Sequence, residues 1–102
     1  MKTEVTMVRI YLTEGDHKFR ELLDCLHNKE QVRGVTAFRG IAGFGKSGKI
    51  HDSSLLDVSL DLPLVIEFFD LPDKAERILQ DLKKIIEPGH AVCWSAKLNM
   101  DE

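Results

Sequence analysis

Four runs that alternate or concentrate apolar residues, with two helical stripes set between them, predict an α+β fold in the order β-α-β-β-α-β. Right-handed crossovers turn that order into a four-stranded antiparallel sheet with two helices on one face, the ferredoxin-like arrangement. At 102 residues and 11.6 kDa the chain is read as one domain, 1–102. A domain of this size buries roughly 65% of the surface its unfolded form exposes, so subunit contacts would add to a thin margin.

Residues 3–13 alternate: Val8, Ile10 and Leu12 point one way, Met7, Arg9 and Tyr11 the other, as in a half-buried strand. Gly15-Asp16 stops it, and Asp16 can N-cap a helix. Phe19, Leu22, Leu23 and Leu26 then fall on one helical stripe, which should end before Gly34. Val35–Ile41 is a second strand, and residues 42–56 are a polar, glycine-rich loop. Leu62–Phe69 is a third strand, its Pro63 near the start, where a missing N–H is tolerated. Pro72-Asp73 opens a second helix, and Asp73-Lys74-Ala75-Glu76 has the pattern of a capping box with Asp in place of Ser or Thr. Ala75, Ile78, Leu79, Leu82, Ile85 and Ile86 form its buried face, Pro88-Gly89 ends it, and Ala91–Met100 is the fourth strand.

The sheet face away from the helices would carry Met7, Arg9 and Tyr11 with Glu67 or Phe68, according to register. Such a face is too apolar for water and too charged for a core, and oligomerisation would cover it.

The charge is uneven. The whole chain carries −3, yet the stretch from Gln31 to His51 has no acidic residue and holds Arg33, Arg39, Lys46 and Lys49, so it is +4 and the remainder −7. Gly40, Gly43, Gly45 and Gly48 lie in the same stretch. Bare backbone N–H groups and cations together suit an anion; a mobile surface loop that needs flexibility and happens to be basic is the plainer alternative. The acidic whole argues against general nucleic-acid binding. No apolar run approaches the ~20 residues of a membrane helix. The N-terminal stretch, charged at Lys2, Glu4, Arg9 and Glu14, lacks a signal-peptide apolar core, so a cytoplasmic protein is expected. Cys25 and Cys93, widely spaced, read as reduced thiols, small and buried.

Gly40 to Ser47 matches G-x-x-x-x-G-K-[ST] letter for letter. A P-loop needs a helix after it, and Gly48-Lys49-Ile50-His51-Asp52-Ser53-Ser54 is a poor helix start, so the match is not read as a nucleotide-hydrolysing loop. His17, His27, His51 and His90 have no metal-ligand spacing, and neither a metal nor a cofactor is expected. No acid, base or nucleophile set marks a catalytic centre. Trp94, on an alternating strand, reads as core or interface. An RNA-recognition domain would need aromatics on its third strand, which reads Leu-Pro-Leu-Val-Ile-Glu-Phe-Phe. An acylphosphatase would need a glycine-rich phosphate loop after its first strand, where Glu14 and Asp16 stand instead.

Val35-Thr36-Ala37-Phe38-Arg39-Gly40-Ile41-Ala42-Gly43-Phe44-Gly45, then His51, then Val58 to Glu67 resemble the signature of domain-of-unknown-function family 190, a branch of the PII-like signalling superfamily. The resemblance covers nearly the whole chain. It implies a PII-like ferredoxin fold assembled as a homotrimer, a small anionic ligand (an adenine nucleotide among the options) between subunits, and a loop at 41–57 that signals to a partner such as a membrane transporter. On this reading Arg39, Gly40, Gly43 and Gly45, with Lys46, form one wall of a ligand site, and Gly89 and His90 the other. Two departures matter. The sole tyrosine, Tyr11, lies on the first strand, so uridylylation of a loop tyrosine is not expected, and Glu87-Pro88-Gly89-His90 lacks the cations that would bind a triphosphate. The expectation is a non-enzymatic sensor. The alternatives are a small enzyme acting on a phosphorylated or anionic metabolite at the same cleft, and an interaction module without a ligand.

Overall fold

The computed structural model describes residues 1–13, 17–44 and 62–100, together with the backbone of 51–52. Its elements are β1 (Lys2–Thr13), α1 (Lys18–Asp24), β2 (Val35–Arg39), β3 (Ala42–Gly43), β4 (His51–Asp52), β5 (Pro63–Asp70), α2 (Pro72–Leu82) and β6 (Ala91–Asn99). The main sheet runs β2-β5-β1-β6, all antiparallel, and both helices cover one face. This is the ferredoxin-like fold that the alternation and the two stripes predict.

The register assigns every side chain to a face. Val8, Ile10 and Leu12 stand opposite Phe68, Ile66 and Leu64, and all six are buried. Leu22 and Leu26 from the first helical stripe and Ala75, Ile78, Leu82 and Ile86 from the second close over them. Fully burying a Leu, Ile or Phe side chain contributes about 1.5–3 kcal/mol, so this single layer carries most of the hydrophobic stabilisation.

Several boundaries differ from the sequence expectation. The second strand stops at Arg39 rather than Ile41, and Ala42–Gly43 pairs instead with His51–Asp52 as a separate two-stranded ribbon within the expected loop. The first helix ends before Gly34 as expected, but through a π-helical turn over Cys25–Lys29. The proposed cap at Asp16 lies outside the described residues. The capping box at Asp73 does not form. Pro72, with its fixed φ, takes the first helical position, which makes Leu71 the N-cap and leaves Asp73 inside the first turn. No side chain caps the helix; Asp70 Oδ1 instead accepts from Leu71 N–H at 2.8 Å, just outside it. Asp73 still sits favourably near the positive end of the helix.

Cys93 departs from its buried reading, and Trp94, read as core or interface, does not lie in the core. Both lie on β6, an edge strand, and both are exposed, while Cys25 is half-buried. From Ala91 to Ala96 this edge carries no charge.

Candidate functional site

The two walls expected of a ligand site sit at one end of the sheet but on opposite edges. Arg39, the last residue of β2, pairs with Leu64, and Leu64 pairs with Leu12. In the same row β6 begins, with His90 bonded to Tyr11 next to Leu12. Three strand spacings of about 4.8 Å separate the edges, so within one chain the walls stand about 14 Å apart. Arg39 shares the row of Leu64 and therefore lies on the helix side, which settles the face that the sequence left open.

Gly40 and Gly43 are glycine for a packing reason. Both approach Pro63: a Cβ on Gly40 would lie 3.1 Å from Pro63 Cβ, and one on Gly43 would lie 2.9 Å from Pro63 Cγ. The Gly40 N–H already donates to the Pro63 carbonyl at 2.7 Å, so it is not a spare donor for an anion. Gly45, Lys46 and the rest of 45–50 lie outside the described residues. The chain re-emerges as strand β4 at His51–Asp52, where a P-loop would continue as a helix.

On the other wall, Gly89 takes φ +88°, a left-handed conformation that strains any residue with a Cβ, although the space around it is open. That turn presents His90. Its carbonyl accepts from Tyr11 N–H at 2.9 Å, and its Nδ1 donates to the Tyr11 carbonyl at 3.1 Å, so the ring is pinned to β1. Its Nε2 lies 3.9 Å from Glu87, which in turn lies 3.8 Å from Lys18. Beside this turn a cavity of about 470 Å³ opens between the end of α2 and β6, lined by Leu79, Leu82, Ile86, Pro88 and Ala91 with Lys83 and Glu87.

The open sheet face holds a cluster that sequence reasoning only half found. Register places Glu67, not Phe68, beside Arg9. Arg9 donates to Glu67 Oε1 through Nε at 3.2 Å and Nη2 at 2.6 Å, and its guanidinium lies 5.4 Å from the centre of the Trp94 ring. Glu67, then Tyr11, raise the guanidinium's affinity for its proton. Apolar rows flank the pair: Phe38, Val65 and Tyr11 on one side, Phe69, Met7 and Trp94 on the other. The lone charge in the apolar run of β5 was the signal; its partner, 58 residues away, needed the register. At the far end of this face a cavity of about 400 Å³ is lined by Val5, Met7, Arg33, Thr36, Glu67 and Leu98.

Among the described residues no three His, Cys, Asp or Glu side chains group as metal ligands, and no helix is long and apolar enough to cross a membrane.

Sheet order and helix placement together define a protein of the ferredoxin-like fold, the arrangement that PII-like proteins share. The chain belongs to the family DUF190 (Uncharacterized ACR), whose sequence profile matches residues 5–98. It is 33% identical over 86 residues to the UPF0166 protein MJ1524 of Methanocaldococcus jannaschii, covering 79% of this chain and 78% of that one. It is 37% identical over 71 residues to a UPF0166 protein of Aquifex aeolicus, covering 69% and 66%. The solved structures it resembles include CPII of Thiomonas intermedia bound to ADP and bicarbonate, with TM-score 0.63 and 18% identity over 96% of this chain and 89% of that one. A second structure of CPII, described as a nitrogen regulatory PII-like protein bound to ADP, AMP and bicarbonate, gives TM-score 0.66 and 16% identity with the same coverage. The divalent ion tolerance protein CutA1 of Ehrlichia chaffeensis gives 0.59 and 11%, covering 96% and 84%. At these identities the likeness is one of fold.

Proposed function

We propose that this chain is a PII-like regulatory protein: a homotrimer that binds a small anionic ligand between subunits and passes the ligand state through the 41–57 segment to a partner such as a membrane transporter. The observation that carries the reading is the placement of its two walls. Arg39 and Gly89-His90 share one end of the sheet but occupy opposite edges, about 14 Å apart. They converge on one small ligand only when the β2 edge of one copy meets the β6 edge of another. The open face supports assembly independently, because its apolar rows and central ion pair suit burial against further copies.

Arg39 supplies the cation on a strand end, and Lys46 would add a second. His90 brings a ring fixed in place, but Glu87 beside it disfavours a highly charged anion. The ligand would therefore carry few phosphates. ADP and AMP, both held by CPII, are the first compounds to try, with bicarbonate and ATP beside them.

Native mass spectrometry and thermal melting test the reading together. Three chains per particle are expected. A ligand at a hundred times its dissociation constant stabilises by about 2.7 kcal/mol, which for a domain of this size is a melting shift on the order of 10 °C. Arg39→Ala should remove most of that shift while leaving the trimer intact. A monomer, or a shift untouched by Arg39→Ala, overturns the proposal.

A further inference from the structure

The end of the open sheet face opposite Arg39 is hollow. Val5 alternates with Met7 and so belongs to that face, yet it is 3% exposed and stands outside the cluster that the helices cover. Two cavities meet there. One, of about 400 Å³, is walled by Met7, Phe69, Ala96 and Leu98, and the other, of about 270 Å³, continues past Thr3, Leu71 and Met100. Val5, Arg33, Phe69 and Leu98 line both, so the two form one groove across the start of β1 and the ends of β5 and β6. An apolar trough of this size with a few polar groups at its edge has the make-up of a small-molecule site.

The polar groups define what fits. Glu67 and Asp70 line the groove, but both are already matched. Glu67 accepts from Arg9 at 2.6 and 3.2 Å. Asp70 accepts from the Leu71 N–H at 2.8 Å and lies 3.1 Å from the Lys74 ammonium. Lys97 borders the first cavity, but it stands opposite Glu4, and alternation puts that pair on the helix side. Arg33 lines both cavities, and its side chain makes no ion pair or hydrogen bond with the described residues. It is the unmatched charge. A guanidinium stays protonated and can hold a carboxylate through two parallel N–H···O bonds. The two carboxylates beside it would repel a polyanion.

We propose that this groove binds a small apolar monocarboxylate, with its carboxylate on Arg33 and its hydrocarbon or aromatic body over Val5, Met7, Phe69 and Leu98. Thr36, on the same wall as Glu67, adds a hydroxyl beside the head group. The groove is distinct from the proposed anion wall: it lies at the start of β2, and Arg39 ends that strand about 13 Å further on. All of its walls come from one chain, so it does not rest on a ligand bridging two subunits. Two chemically different ligands would thus engage the two ends of one edge strand.

The test is a methyl NMR titration of the full chain, in whatever assembly it forms, with phenylpropionate as the probe. Saturable shifts are expected at Val5, Met7 and Leu98. Phenylpropionamide, which keeps the body and lacks the charge, should bind more weakly on the order of tenfold or more, and so should phenylpropionate to Arg33→Gln. Arg33 is exposed, so the variant should fold as wild type does. Excess ADP or inorganic phosphate should not displace the probe, which separates this site from the Arg39 wall. The absence of saturable shifts, equal affinity for acid and amide, or shifts that Arg33→Gln leaves untouched overturns the proposal. Displacement by ADP would place the probe at the Arg39 wall and overturn it too. So would the same methyl shifts on concentrating the protein without probe, since they would assign the groove to a second copy of the chain.

Discussion

Alternate residues of the same strands build two unlike surfaces. On the helix side Val8, Ile10, Ile66 and Phe68 are at most 1% exposed. On the other side Tyr11, Phe38, Val92 and Trp94 are between 40% and 49% exposed, around an ion pair that no helix covers. Both faces are rich in large apolar groups, so composition does not separate them. The difference lies in the partner: one face has two amphipathic helices from its own chain, and the other has none. A surface of the second kind is one that the proposed assembly would cover.

The comparison can be broken most sharply at Phe68. Phe68→Ala should cost about 3–5 kcal/mol by chemical denaturation, independent of protein concentration, because the cavity it leaves is internal to one chain. Trp94→Ala should behave differently. Its effect should appear as a raised dissociation concentration, on the order of tenfold or more by sedimentation or native mass spectrometry, with little loss in the isolated subunit. Equal, concentration-independent losses at both positions would show that the two faces are not different in kind.

A smaller contrast concerns the turn that launches β6. Gly89→Ala should cost about 1–2 kcal/mol in denaturation, because φ +88° is strained for any Cβ. Gly34→Ala, where nothing lies within 4 Å and φ is not positive, should fall within about 0.5 kcal/mol of wild type.

The last test is one of sign within the helix layer. Glu30, just past the π-turn, is buried, and burial above all makes its folded carboxyl bind a proton more tightly than the unfolded one. Its contribution to stability is therefore fully present below the unfolded value of about 4.3 and is lost as pH rises through the folded value. Glu30→Gln should accordingly raise the denaturation midpoint near pH 8 and leave it close to wild type near pH 4. A variant less stable than wild type at pH 8 would contradict the raised proton affinity of the buried carboxyl.

The order of elements was legible because periods of two and 3.6 are local properties of the chain. Leu22, Leu26, Ile78 and Leu82 could be placed in the core before any contact was known. Register is not local. Arg9 beside Glu67, and Arg39 on the helix side, follow only from the pairing of β1 and β2 with β5. The start of α2 was misread because two rules compete there: an acidic residue three before a glutamate suggests a cap, but proline takes the first helical position. Of the site, the charge pattern pointed to Arg39, and the glycines beside it owe their identity at least in part to Pro63. Glu30 gave no signal, since a glutamate next to a lysine reads as surface until its burial is known.

The β6 strand sets a condition on how the protein is made. Nine residues long and uncharged from Ala91 to Ala96, it stands at the edge of the sheet, and no described strand pairs with its outer side. A newly synthesised subunit thus offers a template on which any extended polypeptide can add a strand. In the proposed assembly its own copies would cover that edge, so dilution, slow synthesis or a weakened interface should first be felt as lost soluble yield and chaperone dependence. In cells, a variant at this edge would be recognised by its low abundance before any defect in the proposed ligand sensing could be measured.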